Sequence, residues 1–343
     1  MTVSYKQFCV AAVLAATTSV AFPQDNKVLN LYSSRHYQTD EALYSNFTRQ
    51  TGIRINRIEA GEDALIERLR NEGERSPADV LVTVDAGRLW RAEQLGFFQP
   101  VKSALLDARI PASLREPGGL WYGFSLRARL IAYNKARVKP ADVPTYESLA
   151  EPKWKDRVCM RSSTNIYNLS LMGAIIDHLG EQKAEQWAQA VRANLAREPR
   201  GGDTDQLKSV AAGECDLTLT NQYYYARLVR SDKADEREIA AKLGVVFPNQ
   251  ASWGTHVNIS GAGVMKHAPN RQAAVKFLEY LAGDEAQRYF ADGNNEWPVV
   301  AGVKPDNPVL KLFGAFKQDA LNVAVLGRNQ PGAQKIYDRV AWK

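Results

Sequence analysis

The sequence predicts an α/β protein built as two doubly wound lobes joined by a two-strand hinge. Three observations carry this. Apolar strand-like runs alternate with segments of helical periodicity from Val28 onward. The same plan restarts near Trp154. Two extended runs, residues 129–134 and 256–265, are placed to cross between the two units.

The first unit reads in order. Residues 28–32 form a strand, and residues 40–50 a helix with Leu43, Tyr44 and Phe47 on one face and Thr39 or Asp40 as cap. Residues 53–58 are a second strand. Residues 62–71 are a helix with Leu65, Ile66 and Leu69 on one side and Gly73 as its stop. Residues 80–84 are a strand of buried type, followed by a helix over residues 86–95. This βαβα order implies a parallel sheet with helices on both faces. The second unit opens with a strand at Val158 and continues through helices at 168–179 and 181–195. A turn at Gly201-Gly202, a helix at 205–212 and a strand at Leu217 follow. Helices at 270–281 and 308–321 close the chain. The lobes are expected as residues 27–128 with about 262–296, and residues 129–261 with about 297–343.

The 343 residues are 45% hydrophobic and 24% charged, enough for a packed core and unlike a disordered chain. Lys6 is the only charge before Asp25. An apolar run from Phe8 to Ala16 leads to the small residues Ser19-Val20-Ala21. That is the pattern of a cleaved signal peptide, residues 1–21, and it implies export to the periplasm; a retained N-terminal anchor is the alternative. The apolar run is too short for a stable transmembrane helix, and no later segment approaches one. Cleavage after Ala21 removes Lys6 and no acid, so 44 basic and 38 acidic residues become 43 and 38, a net charge of +5. Both signs are interspersed, which argues against nucleic-acid binding. Only Cys159 and Cys215 then remain. Each begins a short β-prone run, so two adjacent parallel strands in register would bring them together as a disulfide; two buried free thiols are the alternative.

Motifs of enzymes are missing: there is no G-x-S-x-G, G-x-x-x-x-G-K-S/T, H-E-x-x-H or C-x-x-C. What the chain places at the carboxyl ends of its strands is tyrosine. Arg35-His36-Tyr37 follows the first strand, Ile166-Tyr167 follows the strand at Cys159, and Tyr223-Tyr224-Tyr225 follows the strand at Leu217. Ligands of open α/β sheets bind at such ends. Each tyrosine alone reads as surface or packing, and together they outline a tyrosine-lined cleft. A phenol has a pKa near 10, so only a hard, highly charged cation such as Fe(III) displaces its proton readily.

Several stretches resemble periplasmic ferric-iron-binding proteins of ABC importers, in the type II periplasmic binding-protein superfamily. They are Leu31-Tyr32-Ser33-Ser34-Arg35-His36-Tyr37 with Asp40, Pro77-Ala78-Asp79-Val80 through Gly87-Arg88-Leu89, Cys159-Met160-Arg161-Ser162-Ser163 through Tyr167-Asn168, Gly213-Glu214-Cys215-Asp216 through Arg227, Gly254 through Gly261, and Asn295-Glu296-Trp297-Pro298-Val299. The resemblance covers nearly the whole mature chain. It implies iron held in the interlobe cleft by His36, Tyr37, Tyr167, Tyr223 and Tyr224, with Tyr225 a neighbour and Arg35 and Arg127 offsetting charge. Another subgroup places a glutamate after the third strand and completes the metal's shell with an anion. Here that position falls on Val84, beside Asp85, so the resemblance is to the tyrosine-rich subgroup, which has no obligatory anion. It further implies Fe(III) as cargo, with Fe(II) fitting on fewer deprotonated phenols, no catalysis, a monomer, and a membrane permease as partner. The alternatives are a binding protein for an organic or anionic solute (polyamine, phosphonate, thiosulfate), a secreted enzyme, or a sensor subunit sharing the same site.

Overall fold

The computed structural model describes residue 1, residues 27–35, Tyr37 and residues 39–343. The rest of the expected signal peptide, and His36, lie outside the described residues. The strands are β1 Val28–Ser33, β2 Arg54–Glu59, β3 Val80–Val84, β4 Tyr122–Asn134, β5 Val158–Cys159, β6 Leu217–Asn221, β7 Leu243–Val246, β8 Val257–Val264 and β9 Trp297–Pro298. The helices are α1 Asp40–Thr51, α2 Glu62–Glu72, α3 Ala86–Gln94, α4 Ala104–Arg109, α5 Ile166–Leu179, α6 Glu181–Ala193 and α7 Asp203–Ala212. They continue as α8 Gln222–Arg230, α9 Ala234–Lys242, α10 Arg271–Leu281, α11 Asp284–Asn294, α12 Pro308–Phe313, α13 Ala324–Arg328 and α14 Gln330–Arg339.

The first sheet runs β2-β1-β3-β8-β4. β1 is parallel to β2 and β3, as the alternating order requires, and β8 closes antiparallel on β3 with Val84 opposite Ser260. The second sheet sets β5 parallel and β4 antiparallel to β6, with β7 on the other side of β4. Its two faces carry separate cores. One holds Leu171, Trp187 and Ile336 from α5, α6 and α14. The other holds Leu207, Leu228 and Ala240 from α7, α8 and α9.

β4 belongs to both sheets. All thirteen of its residues are buried. Tyr122 to Ala128 pair with β8, and Arg129 to Tyr133 pair with β6, so the strand changes partners between Ala128 and Arg129. At that step the Arg129 N–H donates to the carbonyl of His256 (3.0 Å), and the returning chain crosses beside the outgoing one. The return crossing lies just before Val257. The expected boundary at residues 261/262 falls inside β8, because every residue of β8 from Val257 pairs with β4 or β3. The chain end is also shared. Val299, Val300, Val323 and Leu326 enter the first core, whereas Ala333, Ile336, Tyr337 and Trp342 enter the second. The helix expected over residues 308–321 stops at Phe313, where Gly314 takes a left-handed φ of 67°.

Cys159 and Cys215 form a disulfide with Cα atoms 5.8 Å apart. The register behind it differs from the expected one. Cys159 faces Thr218, and Cys215 precedes β6 by two residues, so the two cysteines do not begin strands at one level. The bond closes a loop between residues 56 apart. Replacing both cysteines by serine should remove about 2–4 kcal/mol of stability. Urea unfolding would show this, and an unchanged midpoint would contradict it. Among the described residues no helix is long and apolar enough to cross a membrane.

Candidate metal centre

Three strand ends deliver the site. After β1 the chain passes through Arg35 and Tyr37 into α1. After β5 a six-residue loop leads to Asn165, whose Oδ1 caps α5 by accepting the Tyr167 N–H (3.1 Å). After β6 the chain enters α8 with no loop at all, so Tyr223 and Tyr224 occupy its first turn. Tyr167 and Tyr223 thus both sit at helix N-termini, where the backbone favours negative charge.

The rings converge. Tyr167 Oη and Tyr223 Oη are 3.1 Å apart. The Tyr223 and Tyr224 rings pack with centroids 4.3 Å apart. Tyr37, from the first lobe, meets Tyr223 edge-on at 6.4 Å. Four of the five expected ligand residues therefore form one cluster across the interlobe cleft, which is closed on them. Tyr225 turns away and packs on Phe313 at 6.2 Å.

Five guanidinium groups surround the phenols. Arg35 lies 4.6 Å from the Tyr37 ring and is pinned by Asp40 (2.9 Å) and Glu296 (3.3 Å). Arg127 lies 5.9 Å from Tyr223, bonded to Ser260 and 3.5 Å from Glu296. Its Nε and Nη1 are buried without a hydrogen-bond partner among the described residues. Arg129 and Arg161 flank Tyr167 at 5.7 and 5.3 Å and share Asp203. Arg227 lies 5.1 Å from Tyr37, 5.0 Å from Tyr223 and 5.6 Å from Tyr224. Five positive groups against the carboxylates of Asp40, Asp203 and Glu296 leave a net +2, which suits a charge that arrives as phenolate.

The phenols do not ionise unaided. Burial pushes Tyr223 well above the usual phenol range, and the neighbouring Tyr167, Tyr37 and Tyr224 add to this, against Arg127. Burial also raises Tyr37, with Glu296 reinforcing it and Arg127 and Arg35 opposing. Tyr224 rises by burial, then through Tyr167 and Asp203. At neutral pH these groups keep their protons until a strong Lewis acid displaces them.

Among the described residues no group of three or more His, Cys, Asp or Glu is placed to hold a metal. The Asp85 carboxylate, the acid nearest the other subgroup's glutamate, is spent on the Gly87 N–H (2.9 Å), Ser170 Oγ (2.6 Å) and Asn258 Nδ2 (2.9 Å). It ties α3 to α5 across the cleft.

The sequence matches the bacterial extracellular solute-binding protein family over residues 75–322. The chain belongs to that family. Within it, the chain is 50% identical over 336 residues to iron uptake protein A2 of Synechocystis, covering 97% of this chain and 95% of that one. The Trichodesmium protein IdiA/FutA, solved in complex with iron and citrate, superposes with a TM-score of 0.89 at 55% identity, over 92% of this chain and 100% of that one. A ferric-binding protein from Campylobacter jejuni matches at 40% identity and a TM-score of 0.87, over 92% and 100%. The two-lobe type II periplasmic binding-protein fold and the resemblance to ferric-iron-binding proteins are thereby borne out.

Sequence reading missed five charged residues that surround the tyrosine cluster: Arg129, Arg161, Asp203, Arg227 and Glu296. Signals existed for two. Arg127-x-Arg129 puts two charges on one face of a strand that is otherwise apolar, and Arg227 stands four residues after Tyr223, on the same helix face.

Proposed function

We propose that the chain is a periplasmic ferric-iron-binding protein that holds Fe(III) through Tyr37, Tyr167, Tyr223 and Tyr224, with His36 adding an imidazole, and delivers it to an ABC permease. The observation that supports this most strongly is the convergence of four phenols from two lobes, with Tyr167 and Tyr223 Oη atoms 3.1 Å apart. Four neutral phenols so close have no reason to be buried together unless they give up their protons to a hard cation. The iron named for two of the relatives, and the ferric iron named for the Campylobacter protein, have the matching chemistry.

The order of events follows from the hinge. In the open form the second lobe presents Tyr167, Tyr223 and Tyr224, and iron enters there. Bending at residues 128–129 and just before Val257 brings in Tyr37 and His36, and the Asp85–Ser170 bond (2.6 Å) locks the lobes together. Fe(III) with four phenolates carries −1, which the surrounding net +2 accommodates. The reading includes no obligatory anion and no catalysis. The closed monomer presents the rims of both lobes to the permease. Fe(II) fits the same site with fewer phenols ionised.

The test is an absorption titration of the mature protein. Ferric citrate and ferric nitrilotriacetate should both raise an intense tyrosinate-to-iron band that saturates at one iron per chain. A colourless protein under excess iron near neutral pH would overturn the reading and favour an organic solute. Iron must displace phenolic protons here, so acidification returns them and weakens binding. The band should therefore fade as pH drops, and a band indifferent to pH between 8 and 5 would argue against phenolate ligation.

A further inference from the structure

One buried carboxylate binds both of the junctions that carry the second-lobe tyrosines. Asp203 is the first residue of α7, and its side chain is wholly buried. Its Oδ2 accepts from Arg129 Nη1 (2.6 Å) and from the backbone N–H of Asn221 (2.8 Å). Its Oδ1 accepts from Arg161 Nη1 (3.0 Å). Two of these partners, Asn221 and Arg161, belong to those junctions, and Arg129 lies on β4. Asn221 is the N-cap residue of α8, immediately before Gln222-Tyr223-Tyr224. Arg161 lies in the loop that leads to Tyr167, and Asn168, the residue after Tyr167, accepts from Arg129 Nη2 (3.1 Å) and donates to the Arg161 and Ser162 carbonyls (3.1 and 3.0 Å).

We infer that Asp203 is a positioning residue for iron capture, holding the Tyr167 junction and the Tyr223–Tyr224 junction at one fixed separation before the metal arrives. The inference rests on the iron reading above and extends it. Tyr167 and Tyr223 are 56 residues apart in sequence and meet at a single Oη···Oη contact of 3.1 Å. On its own that contact opposes iron loading, since two ionised phenols repel. Something else must hold the oxygens at metal-binding distance. Asp203 does so through both guanidinium groups that flank Tyr167. Arg129 Nε and Arg161 Nε have no partner among the described residues, so the orientation of the two planes depends on their terminal nitrogens. Arg161 is held there by Asp203, and Arg129 by Asp203 together with the side-chain oxygens of Asn221 (3.2 Å) and Asn168 (3.1 Å).

Charge and position predict opposite signs, which makes the role testable. A carboxylate beside phenols opposes their ionisation. If charge were all that mattered, Asp203→Asn would tighten iron binding. A positioning role predicts that it weakens by about 10- to 100-fold, the usual cost of losing a group that orients metal ligands. It also predicts a displaced maximum of the tyrosinate–iron band. The experiment is a ferric citrate titration of the mature wild type, Asp203→Asn and Asp203→Glu, with circular dichroism to confirm folding. Asp203→Glu keeps the charge and lengthens the link by one methylene, so it decides the matter if Asp203→Asn does not fold. It should also lose affinity and shift the band. A folded variant with wild-type affinity and wild-type band maximum overturns the inference, as does one that merely melts earlier while its band stays in place. If the wild type itself gives no band, the iron reading fails instead.

Discussion

Replacing Tyr223 and Tyr224 together by phenylalanine is expected to abolish the tyrosinate–iron band's high intensity and to weaken iron binding by well over the roughly 100-fold that loss of one orienting partner costs. Phenylalanine keeps what the rings do for packing. The 4.3 Å contact between them and the edge-on contact with Tyr37 at 6.4 Å need only the aromatic faces. What disappears is two of the four phenolic oxygens, including the one 3.1 Å from Tyr167. Burial disfavours the charged form of Tyr223, and in the apo fold its hydroxyl meets only another phenol, that of Tyr167, among the described residues. Thermal stability of the apo protein should accordingly hold or rise slightly. Tyr225→Phe is the internal control. Its ring lies on Phe313, outside the cluster, and affinity should not change. Iron affinity retained in the double variant would mean that the ligands lie elsewhere.

The sequence made the first lobe readable because each of its elements is locally consistent. β3 is five buried apolar or β-branched residues, and α2 has its apolar residues at helical spacing with a glycine stop. The tyrosine positions were legible for the same reason, since strand ends are where an α/β sheet binds. Three features were not legible. The disulfide's register was misplaced because strand-like residues at Cys215 gave no sign that pairing begins two residues later, at Leu217. The short β7 and β9 exist only because β4 offers them an edge, a tertiary effect with no local pattern. Beyond Arg35 and Arg127, the charged frame around the tyrosines was missed because an arginine reads as surface. Only the fold shows that Arg127 and Arg129 are 1% exposed, each facing a carboxylate brought from far along the chain.

Glu296 illustrates that last point and yields the second large effect. It lies just after the left-handed Asn295 (φ 59°) that ends α11, and its side chain is 1% exposed. Its carboxylate faces Arg35 at 3.3 Å and Arg127 at 3.5 Å, and accepts from Ser125 Oγ at 2.8 Å. Arg35 has Asp40 in reserve, but among the described residues Arg127 would keep only Ser260 as a hydrogen-bond partner. Glu296→Gln leaves these two buried cations short of an anion, and breaking a buried pair from one side costs about 3–5 kcal/mol. The apo protein should lose that much in urea unfolding. The iron-loaded protein should lose less. Glu296 opposes ionisation of Tyr37, and without it Arg127 is released to balance phenolate. The gain in stability on adding iron should therefore be larger in Glu296→Gln than in the wild type. The sign follows from linkage: a phenol raised by a nearby anion binds metal less readily, and removing the anion lowers the proton's hold and the pH at which iron is released. An unchanged apo midpoint would refute the buried-pair assignment. A smaller iron increment than wild type would show that Glu296 supports the ligand geometry of the first lobe more than it opposes its charge.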